Sequence, residues 1–289
     1  RDLRMSRGLG DVYKRQAYAT EIVEKPLYKG TGVAQQPAFS PDGTKVAFLE
    51  DRTTLRVVDV KTKKAVTALD GKYNYSYSDG DVPFEWSPDS EWLLISYIGN
   101  GGWNNPDIAL VKADGTACRD LTESGYSDSN ARWALGGKAM TYATAKYGMK
   151  AHGSWGNQDD LVLMAFDQEA WDDMQATEEE AKMKEEQEKE NKEDAESAKK
   201  DKKKGKKDTE ADKKNAKKLD LDLDNRRHRM MRLTESSAII SDYWLTPKGD
   251  KLYYIAQQPS GNAALMERDI RKGSTKALIE DVDGGLEAD

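Results

Sequence analysis

Short apolar runs separated by polar turn clusters recur along the chain, and four of them share one pattern. They read Phe39-Ser-Pro-Asp-Gly-Thr-Lys-Val-Ala-Phe48, Trp86-Ser-Pro-Asp-Ser-Glu-Trp-Leu-Leu-Ile95, Trp133-Ala-Leu-Gly-Gly-Lys-Ala-Met-Thr-Tyr142 and Leu245-Thr-Pro-Lys-Gly-Asp-Lys-Leu-Tyr-Tyr254. In each, an apolar residue closes one strand, a polar turn reverses the chain, and an alternating apolar strand is predicted to follow. Pro presets the first turn residue, Asp bonds back to the backbone, and Gly supplies the positive φ that ends the turn. Phe39, Trp86 and Trp133 are each 47 positions apart.

A period of about 40–50 residues with several short strands per unit is the signature of a propeller or a similar array. The predicted fold is therefore an all-β, partial β-propeller with blades of four antiparallel strands. Each blade is a small twisted sheet that buries its faces only against neighbouring blades. The step from Trp133 to Leu245 is 112 residues, 65 more than the period. Asp114 to Thr122 spans 8 positions and the equivalent Asp167 to Thr234 spans 67, so 59 extra residues sit in one hairpin turn. From Thr122 to Trp133, and from Thr234 to Leu245, the spacing is 11 in both cases. The register resumes at once, so the insertion is an excursion from a turn. The expected organisation is blades over 17–168, a charged insertion over 169–224, and blades again over 225–289.

Composition explains why the insertion builds no core of its own. Of the 42 residues from Thr177 to Lys218, 14 are acidic and 15 basic, and none is aromatic. Such a segment cannot bury enough apolar surface to offset the entropy of ordering. Its acidic first part, Glu178 to Glu196, is expected to continue a helix begun near Gln168-Glu-Ala-Trp171. The basic second part, Lys199 to Lys218, offers Lys202-Lys-Lys204 as a tether for nucleic acid or membrane. The two halves neutralise one another and carry no ring for base stacking, so a solvated, partly helical loop is the reading adopted.

The opening stretch, residues 1–16, has no apolar period and resembles translated sequencing-adapter read-through, so it is read as an artefact and set aside. At the other end, Gly284-Gly-Leu-Glu-Ala-Asp289 reads as the approach to a fifth blade, and the chain is expected to be a fragment of a longer protein. The net charge is −7, and about −11 without residues 1–16 and 177–218. An acidic surface disfavours nucleic acid as a partner. The one cysteine, Cys118, excludes an internal disulfide. No apolar run approaches the ~18 residues of a membrane span.

Candidate chemistry is sparse. His152 and His228 are the only histidines, too few for a multi-histidine metal site. Ala151-His-Gly-Ser-Trp-Gly156 places Ser154 near His152, with Asp159 and Asp160 following, but the G-x-S-x-G elbow is absent. Asp220-Leu-Asp-Leu-Asp-Asn225 alternates carboxylates. Met231 stands where a calcium loop needs its bidentate Glu and no Gly occupies the sixth position, so an edge strand with Asp on its wet face is predicted. Gly99-Asn-Gly-Gly-Trp-Asn-Asn105 lacks the Lys-Ser or Lys-Thr of a phosphate cradle, and reads as a blade loop able to contact peptide. No catalytic, cofactor-binding or metal residue is assigned.

Four runs together resemble the propeller region of tricorn-type serine peptidases, especially the bacterial homologues. They are Asp70-Gly-Lys-Tyr-Asn-Tyr-Ser-Tyr-Ser-Asp-Gly-Asp81, Trp86-Ser-Pro-Asp-Ser90, Gly99-Asn-Gly-Gly-Trp-Asn-Asn-Pro-Asp-Ile108 and Tyr147-Gly-Met-Lys-Ala-His-Gly-Ser-Trp-Gly156. The charged insertion and Leu221-Asp-Leu-Asp-Asn225 fit that family too. The resemblance covers about residues 17–289. It implies a parent with two propellers, a PDZ domain and a catalytic domain using Ser, His and supporting Ser and Glu residues. No position here matches those catalytic motifs. Implied partners are unfolded polypeptide or peptides, the rest of the parent chain and, as an option, further copies of it. Two rivals use the same turns: a non-enzymatic TolB-like scaffold, and the propeller of a prolyl-oligopeptidase-like enzyme. The compartment, periplasmic or cytoplasmic, stays open.

Overall fold

A computed structural model describes residues 25–99, 102–150, 157–184, 186, 187, 189, 218–282 and 284–286. The chain divides into Arg1–Thr31 and Gly32–Asp289. The described residues of the first unit, 25–31, form neither helix nor strand.

The second unit is built from four antiparallel sheets, each a four-stranded meander in chain order. Blade 1 contains β1 (Ala34–Phe39), β2 (Lys45–Glu50), β3 (Thr54–Asp59) and β4 (Ala65–Leu69). Blade 2 contains β5 (Phe84–Trp86), β6 (Trp92–Tyr97), β7 (Asp107–Lys112) and β8 (Cys118–Asp120). Blade 3 contains β9 (Asp128–Ala134), β10 (Ala139–Thr144), β11 (Asp160–Ala165) and β12 (Met230–Arg232). Blade 4 contains β13 (Ile240–Leu245), β14 (Lys251–Gln257), β15 (Ala263–Asp269) and β16 (Ser274–Glu280). These are the propeller-type blades that the repeat predicts.

Three apolar clusters hold the unit together, and each lies between consecutive blades. Leu93, Ile95, Ala109 and Val111 of blade 2 pack with Ala47, Leu49, Leu55 and Val57 of blade 1. The intervening residues Leu94, Ile108 and Leu110 turn the other way, to Met140, Tyr142, Val162 and Met164 of blade 3. Blade 3 then sends Leu161, Leu163 and Ala165 towards Tyr243, Leu252 and Tyr254 of blade 4. Successive residues of a strand alternate between faces, so here they alternate between two cores rather than between core and solvent. This corrects the expected apolar–polar alternation: β10 and β11 are buried along their whole length.

The turns work as their residues dictate, with two departures. In the first, Ser40 Oγ bonds Asp42 Oδ1 at 2.6 Å and accepts from the Lys45 amide at 2.9 Å, while Asp42 Oδ1 accepts from the Thr44 amide at 2.9 Å. Ser87 and Asp89 repeat this in blade 2. In blade 4 the carboxylate comes from Asp250, which accepts from Thr246 Oγ1 at 2.5 Å. The left-handed position falls on Gly43 (φ 70°) and Gly249 (φ 71°), but in blade 2 on Ser90 (φ 63°). A serine tolerates that conformation because its side chain joins two blades: Ser90 Oγ accepts from the Asp42 amide at 3.1 Å and its carbonyl accepts from Lys45 Nζ at 2.9 Å. Ser90→Ala keeps the strained backbone and orphans the Asp42 amide, so it is expected to cost about 1–2 kcal/mol in urea unfolding. An unchanged midpoint would show that this inter-turn bond contributes nothing.

The first strands of neighbouring blades are also clasped directly. Trp86 Nε1 donates to the Ala38 carbonyl at 3.1 Å, and the Trp133 amide donates to Glu85 Oε2 at 2.7 Å. Arg132 pairs with Asp242 at 2.6 Å, and its guanidinium stacks 4.8 Å from the centre of the Tyr243 ring.

The β11–β12 connection departs from two expectations. Helix α1 (Gln168–Gln175) starts with Asp167 accepting from the Ala170 amide at 2.8 Å. It does not run on into the acidic stretch. Ala176 is extended (φ −60°, ψ 138°), and a second helix starts at residue 178. Thr177 caps it reciprocally with Glu180, the amide and hydroxyl of Thr177 bonding Glu180 Oε2 at 2.8 and 2.9 Å. The return segment 218–223 is not the expected edge strand but irregular chain. Leu221 and Leu223 pack into the cluster between blades 2 and 3, and the Asp222 amide donates to the Phe166 carbonyl at 2.8 Å. Two buried arginines hold it there. Arg226 donates to the carbonyls of Leu121 (2.8 Å), Asp120 (3.0 Å) and Leu223 (2.8 Å). Arg229 donates to the Asp222 carboxylate at 2.9 Å and to its carbonyl at 2.7 Å. Asp222 thus anchors an insertion to the sheet rather than lying on a wet strand face.

Candidate functional site

In a four-stranded meander, the β2–β3-type hairpins and the blade-to-blade connectors emerge at the same end. Three of the four runs that carry the family resemblance reach this end in their described residues: 70–81 between blades 1 and 2, 99 and 102–106 between β6 and β7, and 147–150 after β10.

The connector 70–83 is a fixed scaffold. Asp70 accepts from the Lys72 amide at 3.0 Å, opening the turn Gly71–Tyr73. Asp81 accepts from the Tyr77 and Ser78 amides at 2.5 and 2.9 Å. Burial works against its charge, but bonds from Ser76, Ser78 and Tyr77 outweigh it and hold the carboxyl below its ordinary value. Arg52 pairs with Asp79 at 2.8 Å and braces the same loop. Beneath, Tyr73 and Tyr97 lie tilted with centroids 5.5 Å apart against the core between blades 1 and 2.

On this base stand three exposed rings. Tyr75 and Tyr77 meet edge to face at 4.7 Å, Tyr77 and Trp103 at 5.8 Å, and Tyr75 and Trp103 lie tilted at 6.4 Å. Their exposures are 50%, 65% and 48%. Such rings stay unfavourably hydrated unless something covers them, and they supply large rigid contact area with little side-chain entropy to lose. The Gly99–Asn105 loop sits at this end, with Lys150 from the next blade bonded to Asn105. Sequence reading marked that loop as able to contact peptide but did not join Trp103 to Tyr75 and Tyr77. Their shared apolar character amid Ser, Asn and Gly was the available signal.

The bases of these loops are acidic. Asp160, fully buried, accepts from Arg232 Nη2 (2.7 Å), Thr234 Oγ1 (2.7 Å) and Ser237 Oγ (2.6 Å). Asp107 occupies the equivalent place in blade 2, accepting from Thr122 Oγ1 and the Ser124 amide, both at 3.0 Å. The repeated Leu-Thr-Glu-Ser signature therefore supplies the hydroxyl that clips the fourth strands of blades 2 and 3 to the start of their third strands. Asp160 is thereby committed to structure. His152 and Ser154 lie outside the described residues. The described histidine, His228, is exposed in the turn Arg226–His228, and Cys118 is exposed on β8. Among the described residues no group of three or more His, Cys, Asp or Glu side chains is placed to hold a metal. None of their helices is long and apolar enough to cross a membrane.

The carboxylates at this end set a pH dependence. Burial, then the Asp107 charge, pushes Asp120 up to about 6. Asp159 reaches about 6 through burial, helped by the charges of Asp160 and Asp128. An acid whose pKa is raised by folding favours the folded state below its ordinary value of 3.8, and that contribution is lost as pH climbs through about 6. Asp114, held near 2 by bonds from Thr116 against some burial, acts oppositely: its stabilisation is lost as pH falls below 3.8. Stability is therefore expected to peak near about pH 4–5. The double variant Asp120→Asn/Asp159→Asn should flatten the decline above the peak by on the order of 1–2 kcal/mol. A melting-temperature series over pH that keeps its slope in the double variant would refute the assignment.

No protein-family profile matches the chain. A curated relative, the protein TolB homolog of Chlorobium luteolum, is 26% identical over 126 residues, which is 42% of this chain and 26% of the relative. TolB from Acinetobacter baumannii is 16% identical with a TM-score of 0.47, covering 89% of this chain and 46% of that one. A puromycin hydrolase is 11% identical with a TM-score of 0.49, covering 89% of this chain and 30% of that one. The match thus spans about a quarter of the curated relative and less than half of either solved chain. None of these similarities fixes an activity.

Proposed function

We propose that this chain is a non-catalytic propeller region that receives extended polypeptide on its aromatic loop end, within a tricorn-type serine peptidase. The observation that carries the reading is the exposed trio Tyr75, Tyr77 and Trp103, built on the same runs that resemble that family. Extended chains expose the apolar and proline side chains that aromatic platforms take up, and they leave backbone groups ready to pair with loop amides. Peptide hydrolysis by an acyl-enzyme would be the work of other parts of the parent.

The test uses a labelled, reduced and carboxymethylated polypeptide, followed by anisotropy, against the same polypeptide in its folded, oxidised form. Binding of the unfolded form with the folded form silent supports the reading. Equal binding of both sinks it.

A second reading, a TolB-like interaction scaffold without catalysis, is favoured by the 26% identity to the TolB homolog. Sequencing the complete reading frame separates the two. A downstream PDZ region and catalytic Ser and His support the peptidase parent. A stop codon after one or two further blades supports the scaffold.

A further inference from the structure

At the opposite end of the sheets, the first helical turns of the insertion fold back over the β9–β10, β13–β14 and β15–β16 turns and enclose a cleft of about 490 Å³. That volume lies within the range of small-molecule sites, about 300–1,000 Å³. The walls combine apolar groups, Leu135, Met174, Ala181 and Pro247, with a cationic rim that includes Arg271. We propose that this cleft binds an anionic amphiphile, a carboxylate on a short apolar tail, with Arg271 holding the carboxylate.

The acids around the cleft are already engaged. Glu180 caps its own helix through Thr177. Asp173 pairs with Lys184 at 2.6 Å, and Glu169 bonds Lys138 at 3.0 Å while lying 3.6 Å from Lys184. Asp250, close enough to feel the Arg271 charge, is bonded by Thr246. Arg271 is the group left short of acceptors. Its Nη2 reaches the Asp173 carbonyl at 3.4 Å, and its buried Nε has no hydrogen-bond partner. A buried donor without an acceptor is costly, and a guanidinium is matched to the two oxygens of a carboxylate. A ligand carboxylate would bond the Nη end of the Arg271 guanidinium, where Nη2 makes only a long 3.4 Å contact to the Asp173 carbonyl, while its tail covers Met174 and Leu135. The same chemistry could come from a free medium-chain acid or from an apolar chain terminus.

Calorimetric titration of the intact chain with decanoate tests the proposal, with decanol as the uncharged control and an acetylated Ala-Leu-Leu peptide as free acid and as amide. Saturable decanoate binding is expected, with Arg271→Gln raising its Kd about tenfold and leaving decanol unaffected. Ala181→Trp, on the cleft side of the helical roof, fills the cleft and should remove binding while the urea unfolding midpoint is preserved. Tighter binding of the peptide acid than of decanoate supports the site with a chain terminus as its source; the reverse order supports it with a free acid. The proposal is overturned if neither carboxylate saturates below about 1 mM, or if Arg271→Gln binds decanoate as tightly as the parent chain.

Discussion

Asp160→Ala is expected to destabilise the chain by about 2–4 kcal/mol, because it removes a buried carboxylate and orphans the hydroxyls bonded to it. The carboxylate is inaccessible to solvent, and four bonds converge on it: Arg232 Nε at 2.8 Å and Nη2 at 2.7 Å, Thr234 Oγ1 at 2.7 Å and Ser237 Oγ at 2.6 Å. Deleting it leaves a guanidinium lying over the Tyr147 ring, 5.3 Å from its centre, and two hydroxyls that have lost their acceptor. It also unclips the chain after the long insertion from β11, where the Leu161 amide donates to Thr234 Oγ1 at 3.3 Å. The matched substitution Asp107→Ala should cost less, about 1–3 kcal/mol, because Asp107 accepts from a hydroxyl and an amide but faces no cation. Urea unfolding of the two variants makes the comparison. Equal losses would mean that the Arg232 pair adds nothing. An Asp160→Ala chain of normal stability would return Asp160 to the pool of chemical candidates beside His152 and Ser154.

Trp103→Ala is expected to weaken binding of unfolded polypeptide by about ten- to a hundredfold, as loss of an aromatic anchor does at a recognition surface. Tyr77→Ala should act in the same direction but less, because it lacks the larger indole area. The half-exposed rings contribute little to the fold, so urea midpoints should stay within about 0.5 kcal/mol of the parent. Trp103→Phe restores a ring and should recover most of the affinity. If Trp103→Ala binds the labelled polypeptide as tightly as the parent, the aromatic platform is not the docking surface.

Much of the fold was legible because its signals are local. A Ser-Pro-Asp-Gly turn carries its own bonds between residues two to five apart, so the four repeats could be placed before any tertiary contact was known. The Leu-Thr-Glu-Ser segments were legible as a spacing, but their purpose was not, since Thr122 and Thr234 act on carboxylates 15 and 74 residues away. The return from the insertion was misread as a strand. Asp222 looks like one tooth of an alternating pattern, and only Arg229, packed against it in space, shows that it is an anchor. The role of Ser90, whose hydroxyl joins two blades, left no mark in the repeat.

The site divides along the same line. The sequence by itself determined the four repeats, their polar turns and the net negative charge, because each depends on residue type and on neighbours within a few positions. Only the tertiary structure decided which residues of blades 2 and 3 face which of their two flanking cores, that Tyr75 and Tyr77 meet Trp103 from another loop, and that Arg271 faces a cleft. These depend on which residues stacking brings within a few ångströms, and contacts across tens of residues leave no periodic trace in a single chain.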